Sequence, residues 1–337
     1  MKLYLHGHDY KYAAEQMLLT LFPAQRPEYP AGPPAPGEDA LVLSLHRGTV
    51  WATAALSCGG REYRAARRCR TAELTDPLST DRALQRILKL AFYDAGTAAR
   101  GGEPPWGALT GVRPVKIPTK AMLAGASPAQ AERLLRDTYR VTEGRRRLAM
   151  DCAGASLAAL RSLAPGEVSL YVGIPFCPTR CAYCSFVSQS VERSFALVPP
   201  YVDALCGEIS AGGEMVRRAG LRVRTFYMGG GTPTTLTAEQ MDRVLTAFET
   251  SFDRTACEEI TVEAGRPDTI TAEKLAVLRT HGVTRVSVNP QTFEENVLRA
   301  IGRCHTAADI DRAMELVARC GFPHVNMDLI AGLPEDT

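Results

Sequence analysis

The chain has 337 residues, 45% hydrophobic and 23% charged, with a net charge of +2. That length accommodates about two domains with sizeable cores. So small a charge gives no argument for a nucleic-acid or membrane partner, and no apolar run has the length of a membrane span. The opening MKLYLHGHDYKY lacks the apolar core of a signal peptide, so a cytoplasmic protein is expected. Residues 1–165 read as a separate α/β domain. Residues 2–5 predict a short strand, and 13–22 a helix with Ala14, Met17, Leu18 and Leu21 on one face. Residues 29–37, rich in Pro and Gly, predict a loop. Strands are predicted at 40–45 and 49–56, around a hairpin turn at His46-Arg47-Gly48. A helix over 81–93 carries Leu84, Ile87, Leu88 and Ala91.

Residues 106–116, WGALTGVRPVK, form a loop with one aromatic and two cations, read as an interdomain contact. Arginines are dense at Arg61, Arg64, Arg67, Arg68 and Arg70, and again at Arg145, Arg146 and Arg147. Their forks suit carboxylates; a solvated charged face is the simpler reading.

From Val168 the pattern becomes strand–helix alternation, which predicts a parallel sheet with right-handed crossovers. Strands are expected at 169–174, 223–228, 259–263, 285–289 and 325–330. Between them, a helix over 201–218 follows Pro199 and Pro200. Thr237 with Gln240, and Thr306 with Asp309, predict capping boxes; Thr271 predicts another cap, and Gly321 a helix stop.

Cys177, Cys181 and Cys184 stand in a C-x3-C-x2-C spacing just past the first of these strands. Thiolates so close can share one soft metal centre. Three are one short of the usual set for an iron–sulfur cluster, which leaves a position open for a ligand. The alternative is structural zinc completed by a distant cysteine. The other seven cysteines lack ligand spacing and read as reduced, mostly buried thiols.

Functional residues of parallel βα architectures gather at the C-terminal ends of the strands. Here those ends carry the three cysteines, then Gly229-Gly230-Gly231-Thr232-Pro233, Glu263, Gln291 and Asp328. Parallel strands in register would gather all five around one cavity. Successive glycines let a backbone approach a ligand closely. Glu263 and Asp328, on strands expected to be buried, need partners, either a ligand or a structural salt bridge.

The cysteine loop, led in by Tyr171 and by Ile174-Pro175-Phe176-Cys177, resembles the radical S-adenosylmethionine superfamily. More narrowly it resembles the oxygen-independent coproporphyrinogen III oxidase family. The WGALTGVRPVK segment resembles one in its Gram-positive-type coproporphyrinogen dehydrogenase subgroup, a less specific match. The resemblance implies an α/β fold: a partial (β/α) TIM-like barrel over 166–337, truncated after strand five and preceded by the α/β domain of 1–165. It implies a [4Fe-4S] cluster on Cys177, Cys181 and Cys184, whose open iron chelates the amino and carboxylate groups of S-adenosylmethionine. By position, Tyr171, Tyr183, Gly230, Gly231, Thr232, Glu263, Gln291, Arg303 and Asp328 match contacts to that cosubstrate.

The reaction so implied is oxidative decarboxylation of coproporphyrinogen III propionates to vinyl groups through a 5′-deoxyadenosyl radical, with flavodoxin or ferredoxin as electron donor. Two alternatives stay open: a haem chaperone that binds haem without oxidase activity, and a radical methyltransferase acting on haem. The chain departs from the family pattern in places. Gly173 stands where a histidine is usual, and Asn289-Pro290 where Gly-Val is usual. Ser185 and Phe186 replace a further cysteine of the oxidase proper, closer to the chaperones. The chain stops at Thr337, soon after the fifth strand, and is expected to be a fragment of a longer protein.

Overall fold

The computed structural model describes residues 1–46, 50–111, 113–186 and 188–336. The chain divides into two compact units, Met1–Ser162 and Leu163–Thr337. In the first, β1 (Lys2–His6) is followed by α1 (Lys11–Leu21), β2 (Ala40–His46), β3 (Trp51–Cys58) and β4 (Arg61–Arg68). The sheet order is β1-β2-β3-β4; β1 pairs parallel to β2 and the rest are antiparallel. Helix α2 (Pro77–Arg100) starts at the Asp76 cap, whose carboxylate accepts from the Leu78 and Ser79 amides. Leu84, Ile87, Leu88 and Ala91 of α2 join Met17, Leu18 and Leu21 of α1 over the sheet residues Leu41, Leu43, Ala54 and Leu56. Each large apolar side chain so buried contributes about 1.5–3 kcal/mol.

Strand β4 is absent from the sequence reading because its arginines mask the alternation. Arg61, Arg64 and Arg68 are exposed, while Arg67 pairs with Asp94. The turn expected at 46–48 falls mostly outside the described residues. Helices α3 (Lys116–Leu123), α4 (Pro128–Arg133) and α5 (Glu143–Arg161) complete the unit. Of the second arginine cluster, on α5, Arg146 bonds Glu132 and the Val141 carbonyl while its neighbours are exposed.

Part of the 106–116 segment packs within this unit. Trp106 and Leu109 lie against Leu135, Val141 and Ala149, and the Arg145 guanidinium sits over the indole at 5.7 Å. Gly107 explains the glycine of WGAL. It has φ +59°, and a Cβ there would lie 2.3 Å from the carbonyl oxygens of both Tyr139 and Arg140.

The second unit contains β5 (Glu167–Ile174), β6 (Phe176–Cys177), β7 (Gln189–Ser190), α6 (Val191–Ser194), α7 (Val198–Arg218), β8 (Arg222–Gly230), α8 (Ala238–Ser251) and β9 (Glu259–Ala264). It continues through α9 (Ala272–Thr280), β10 (Arg285–Gln291), α10 (Glu295–Ala300), α11 (Ala307–Cys320) and β11 (His324–Leu329). Five strands form one parallel sheet in the order β11-β10-β9-β8-β5, so each is added beside its predecessor in the chain. A doubly wound sheet reverses its order at a switch point; this one never does, which is the winding of a barrel. It is a partial (β/α) barrel.

The helix signals lie where the sequence puts them. Thr237 and Gln240 form a capping box on α8, Thr306 and Asp309 one on α11, and Thr271 caps α9. Helix α7 begins at Val198 rather than after the prolines. Pro199 and Pro200 occupy its first turn, where a missing N–H costs nothing. The two faces of the sheet differ in chemistry. Val172, Phe226, Met228, Val262, Val286 and Val288 pack against Val202, Val244, Phe248, Leu275 and Val317 of the helices. The other face is polar: Ser169 and Thr225 hydroxyls bond at 2.8 Å, Arg285 and Glu259 at 3.0 Å, and Asn326 and Ser287 at 2.8 Å. No helix among the described residues is long and apolar enough to cross a membrane.

Replacing Gly107 with alanine forces the backbone out of its left-handed conformation and away from two carbonyls. We expect it to cost more than about 1 kcal/mol, read as a lower urea midpoint. Gly125→Ala, also at positive φ but with nothing within 4 Å of its Cβ, should cost less.

Candidate functional site

The ends of all five parallel strands open into one cavity of about 600 Å³. It is lined by Cys177, Cys181, Cys184 and Tyr183 from the cysteine loop, and by Gly230, Gly231 and Thr232 past β8. Glu263 of β9, Gln291 of β10, Arg303 past α10 and Asp328 of β11 complete the ring. Of the residues expected at the site, Tyr171 alone does not line the cavity. It stands on the polar face of β5, 60% exposed, with its ring stacked on Tyr227 at 5.9 Å.

Hydrogen bonds hold the cysteine loop from three sides. The Gly231 amide donates to the Ile174 carbonyl at 2.7 Å and the Thr232 amide to the Phe176 carbonyl at 2.8 Å. A Cβ on Gly231 would lie 2.6 Å from the Phe176 oxygen and 3.0 Å from the Cys177 sulfur, so only glycine fits there. From the other side, the Ala182 amide donates to the Ile301 carbonyl at 3.0 Å and the Thr179 hydroxyl to the Gly302 carbonyl at 2.8 Å. The third support is Arg266, the largest fully buried side chain among the described residues. Its Nη1 donates to the Thr179 hydroxyl at 2.8 Å, and its Nη2 to the Thr179 carbonyl at 2.5 Å and the Cys181 sulfur at 3.3 Å.

Among the described residues no carboxylate pairs with Arg266. A buried guanidinium keeps its charge and is costly without a counter-charge. The Cys181 sulfur lies within its reach and would be an anion as a metal-bound thiolate. The Thr232 hydroxyl lies 3.5 Å from the sulfur of a second cysteine of the loop, Cys177. Among the described residues no three His, Cys, Asp or Glu side chains converge tightly enough for a single metal ion. Cys177, Cys181 and Cys184 all line the cavity. The donor set, the unbalanced cation and the glycine cradle therefore fit a thiolate-bound iron–sulfur cluster.

Glu263 is half-buried, and its Oε1 accepts from the Tyr227 hydroxyl at 2.5 Å. Burial pushes its carboxyl above the usual carboxylate range; the Tyr227 bond opposes this and the nearby Asp328 reinforces it. Asp328 is exposed rather than buried as expected, because β11 has one strand neighbour and its polar face borders the open cavity. Arg303 is buried, with Nη1 on the Asn289 carbonyl at 2.6 Å. Pro290, with no N–H to pair, sits where the β10–β11 register shifts between Val288 and Gln291. Gln291 then takes φ +72°, a strained conformation for a non-glycine residue and of a kind concentrated at functional sites.

Sequence reasoning missed Arg266, Tyr227 and Phe186 as site residues. Arg266 stands in the same VEAGRPDTI segment as Glu263, but nothing in one sequence marks a buried arginine. The seven other cysteines are free, yet only Cys69 is buried, while Cys152 and Cys304 are exposed. Small thiols scattered outside the apolar stripes take whatever exposure their positions have.

Residues 171–337 match the Radical SAM superfamily, and the chain belongs to that superfamily, whose members use a [4Fe-4S] cluster and S-adenosylmethionine. Within it, the chain falls with the oxygen-independent coproporphyrinogen III oxidase family, on the Gram-positive side. It is 43% identical over 254 residues to the oxygen-independent coproporphyrinogen-III oxidase-like protein HemZ of Bacillus subtilis, covering 74% of this chain and 51% of that protein. It is 37% identical over 169 residues to the heme chaperone HemW of Lactococcus lactis, covering 50% of this chain and 42% of the chaperone. Coproporphyrinogen III oxidase (HemN) from Escherichia coli aligns in structure with a TM-score of 0.47 and 32% identity, over 55% of this chain and 42% of that one. The chain spans about half the length of the curated relatives it matches.

The raised Glu263 pKa has a stability consequence of definite sign. The folded state holds this proton more tightly than the unfolded one, so stability is greatest at low pH and falls as pH rises through the folded pKa. Glu263→Gln cannot titrate yet still accepts from Tyr227. Without cosubstrate it should melt roughly 2 °C above wild type at pH 8 and lose that advantage below the carboxylate range. An equal difference at both pH values would contradict this assignment.

Proposed function

We propose that the protein is an oxygen-independent coproporphyrinogen III dehydrogenase of porphyrin biosynthesis, converting propionate side chains to vinyl groups in the cytoplasm. The observation that carries this reading is the gathering of three cysteines, a glycine cradle and four polar strand-end side chains around one cavity. Cys177, Cys181 and Cys184 hold the cluster; once loaded, it supplies the electron that cleaves S-adenosylmethionine to methionine and the 5′-deoxyadenosyl radical.

The residues of this chain bind and orient. Gly230, Gly231 and Thr232 bring backbone to the amino-acid end of the cosubstrate, where Glu263 accepts from its ammonium. Glu263 is desolvated and bonded to Tyr227 in the free protein, so an arriving cation stabilises its ionised form. Arg303, fixed on the Asn289 carbonyl, keeps a buried Nε with no hydrogen-bond partner among the described residues. Gln291, Asp328, Tyr183 and Tyr171 complete the cosubstrate contacts, with Tyr171 reached from the open face of the sheet. With cluster and cosubstrate bound, this chemistry would take a hydrogen atom from the propionate chain, and loss of carbon dioxide with transfer of one electron to an external acceptor would leave the vinyl group. The donor to the cluster is a small one-electron carrier such as flavodoxin or ferredoxin.

A haem chaperone is the second reading. Ser185 and Phe186 support it, where a further cysteine would favour the oxidase; Phe186 lines the cavity and is 64% exposed, which suits a flat apolar ligand. One anaerobic reaction separates the two: reconstituted protein, reductant, S-adenosylmethionine and coproporphyrinogen III, analysed by mass spectrometry. The dehydrogenase predicts loss of carbon dioxide from the porphyrinogen together with 5′-deoxyadenosine. An unchanged porphyrinogen, with haem retained stoichiometrically in a parallel sample, would support the chaperone instead.

A further inference from the structure

A second cavity, of about 370 Å³, lies wholly within the first unit. One wall is a single face of α2, bearing Arg82, Gln85, Arg86 and Lys89 at helical spacing. The opposite wall comes from the WGALTG loop, including Leu109 and Thr110, and from Tyr139. The volume is at the lower end of small-molecule sites and too small for a whole tetrapyrrole.

Three cations face this space, and their partners are unequal. Arg86 is paired with Glu73, and the Gln85 amide with Asp81 at 2.7 Å. Lys89 has only the Thr110 hydroxyl, at 2.8 Å. Among the described residues neither Lys89 nor Arg82 has a carboxylate partner. Burial pushes the Lys89 ammonium below its ordinary value, so an anion beside it would recover what desolvation costs. Leu109 and Tyr139 provide apolar surface for a body attached to that anion.

We infer that this cavity binds a small amphipathic anion, its carboxylate or phosphate on Lys89 and Arg82 and its apolar body against Leu109 and Tyr139. The WGALTG loop is then one wall of a binding site. The inference uses the first unit alone, so it stands or falls independently of the radical chemistry.

Isothermal titration of the full chain at low salt tests it, with 3-phenylpropionate as the carboxylate probe, phenyl phosphate as the phosphate probe and 3-phenylpropanol as the neutral control. We expect saturable binding of one anion per chain and none of the alcohol. Lys89→Met, which keeps the stem and removes the charge, should weaken it by about tenfold or more, the value of one charge-assisted hydrogen bond; Lys89→Arg should largely retain it. Which probe binds more tightly identifies the oxyanion. If Lys89→Met does not melt cooperatively, the exposed Arg82→Gln decides, with the same direction expected. No saturable binding of either anion overturns the inference, as does affinity unchanged by removing the charge or matched by the alcohol.

Discussion

A buried positive charge with no carboxylate partner among the described residues is the constraint on which the second unit turns. Arg266 is enclosed beneath the cysteine loop, with its donors on Thr179 and the Cys181 sulfur. With neutral thiols it would be an isolated charge in a low-dielectric setting, which proteins avoid. With thiolates the same guanidinium is paired, and the hydrogen bond to sulfur becomes charge-assisted. The loop, the cation and the metal-bound state of the cysteines therefore belong together: each is favourable only in the presence of the others.

The fold delivers the other components. A sheet that winds in one direction keeps all five C-terminal strand ends on one rim, and side-chain alternation puts apolar residues toward the helices and polar ones toward the opening. The Gly229-Gly230-Gly231 run lets β8 end against β5 so closely that Gly231 touches the carbonyls leading into Cys177. Gln291 accepts a strained backbone at the same rim. Local strain, a desolvated carboxylate and an orphaned arginine nitrogen all occur within a few residues of the cavity, where a ligand would relieve them.

Much of this was legible in the sequence, because the strands of the second unit are apolar and bounded by turn residues, and its helices carry their caps. The cysteine spacing and the order of strand ends put eleven of the twelve expected site residues on the cavity. What escaped has physical reasons. Strand β4 hides its alternation under arginines. Helices α3 to α5 are short or carry many charges, so their apolar stripes are thin. Arg266 could not be found from one sequence, since its importance lies in what does not accompany it.

The most direct measurement is iron content and redox behaviour of the anaerobically reconstituted protein, wild type beside Arg266→Gln, with a thermal melt as control. The account predicts about four iron atoms per wild-type chain and a reduced electron paramagnetic resonance signal that changes when S-adenosylmethionine is added. In the folded Arg266→Gln variant, iron should be lost more readily and the reduction potential should fall, since a cation and a hydrogen bond to sulfur have been removed. A folded variant that keeps its iron at the wild-type potential would contradict the account, as would wild type that takes up a single zinc ion in place of iron.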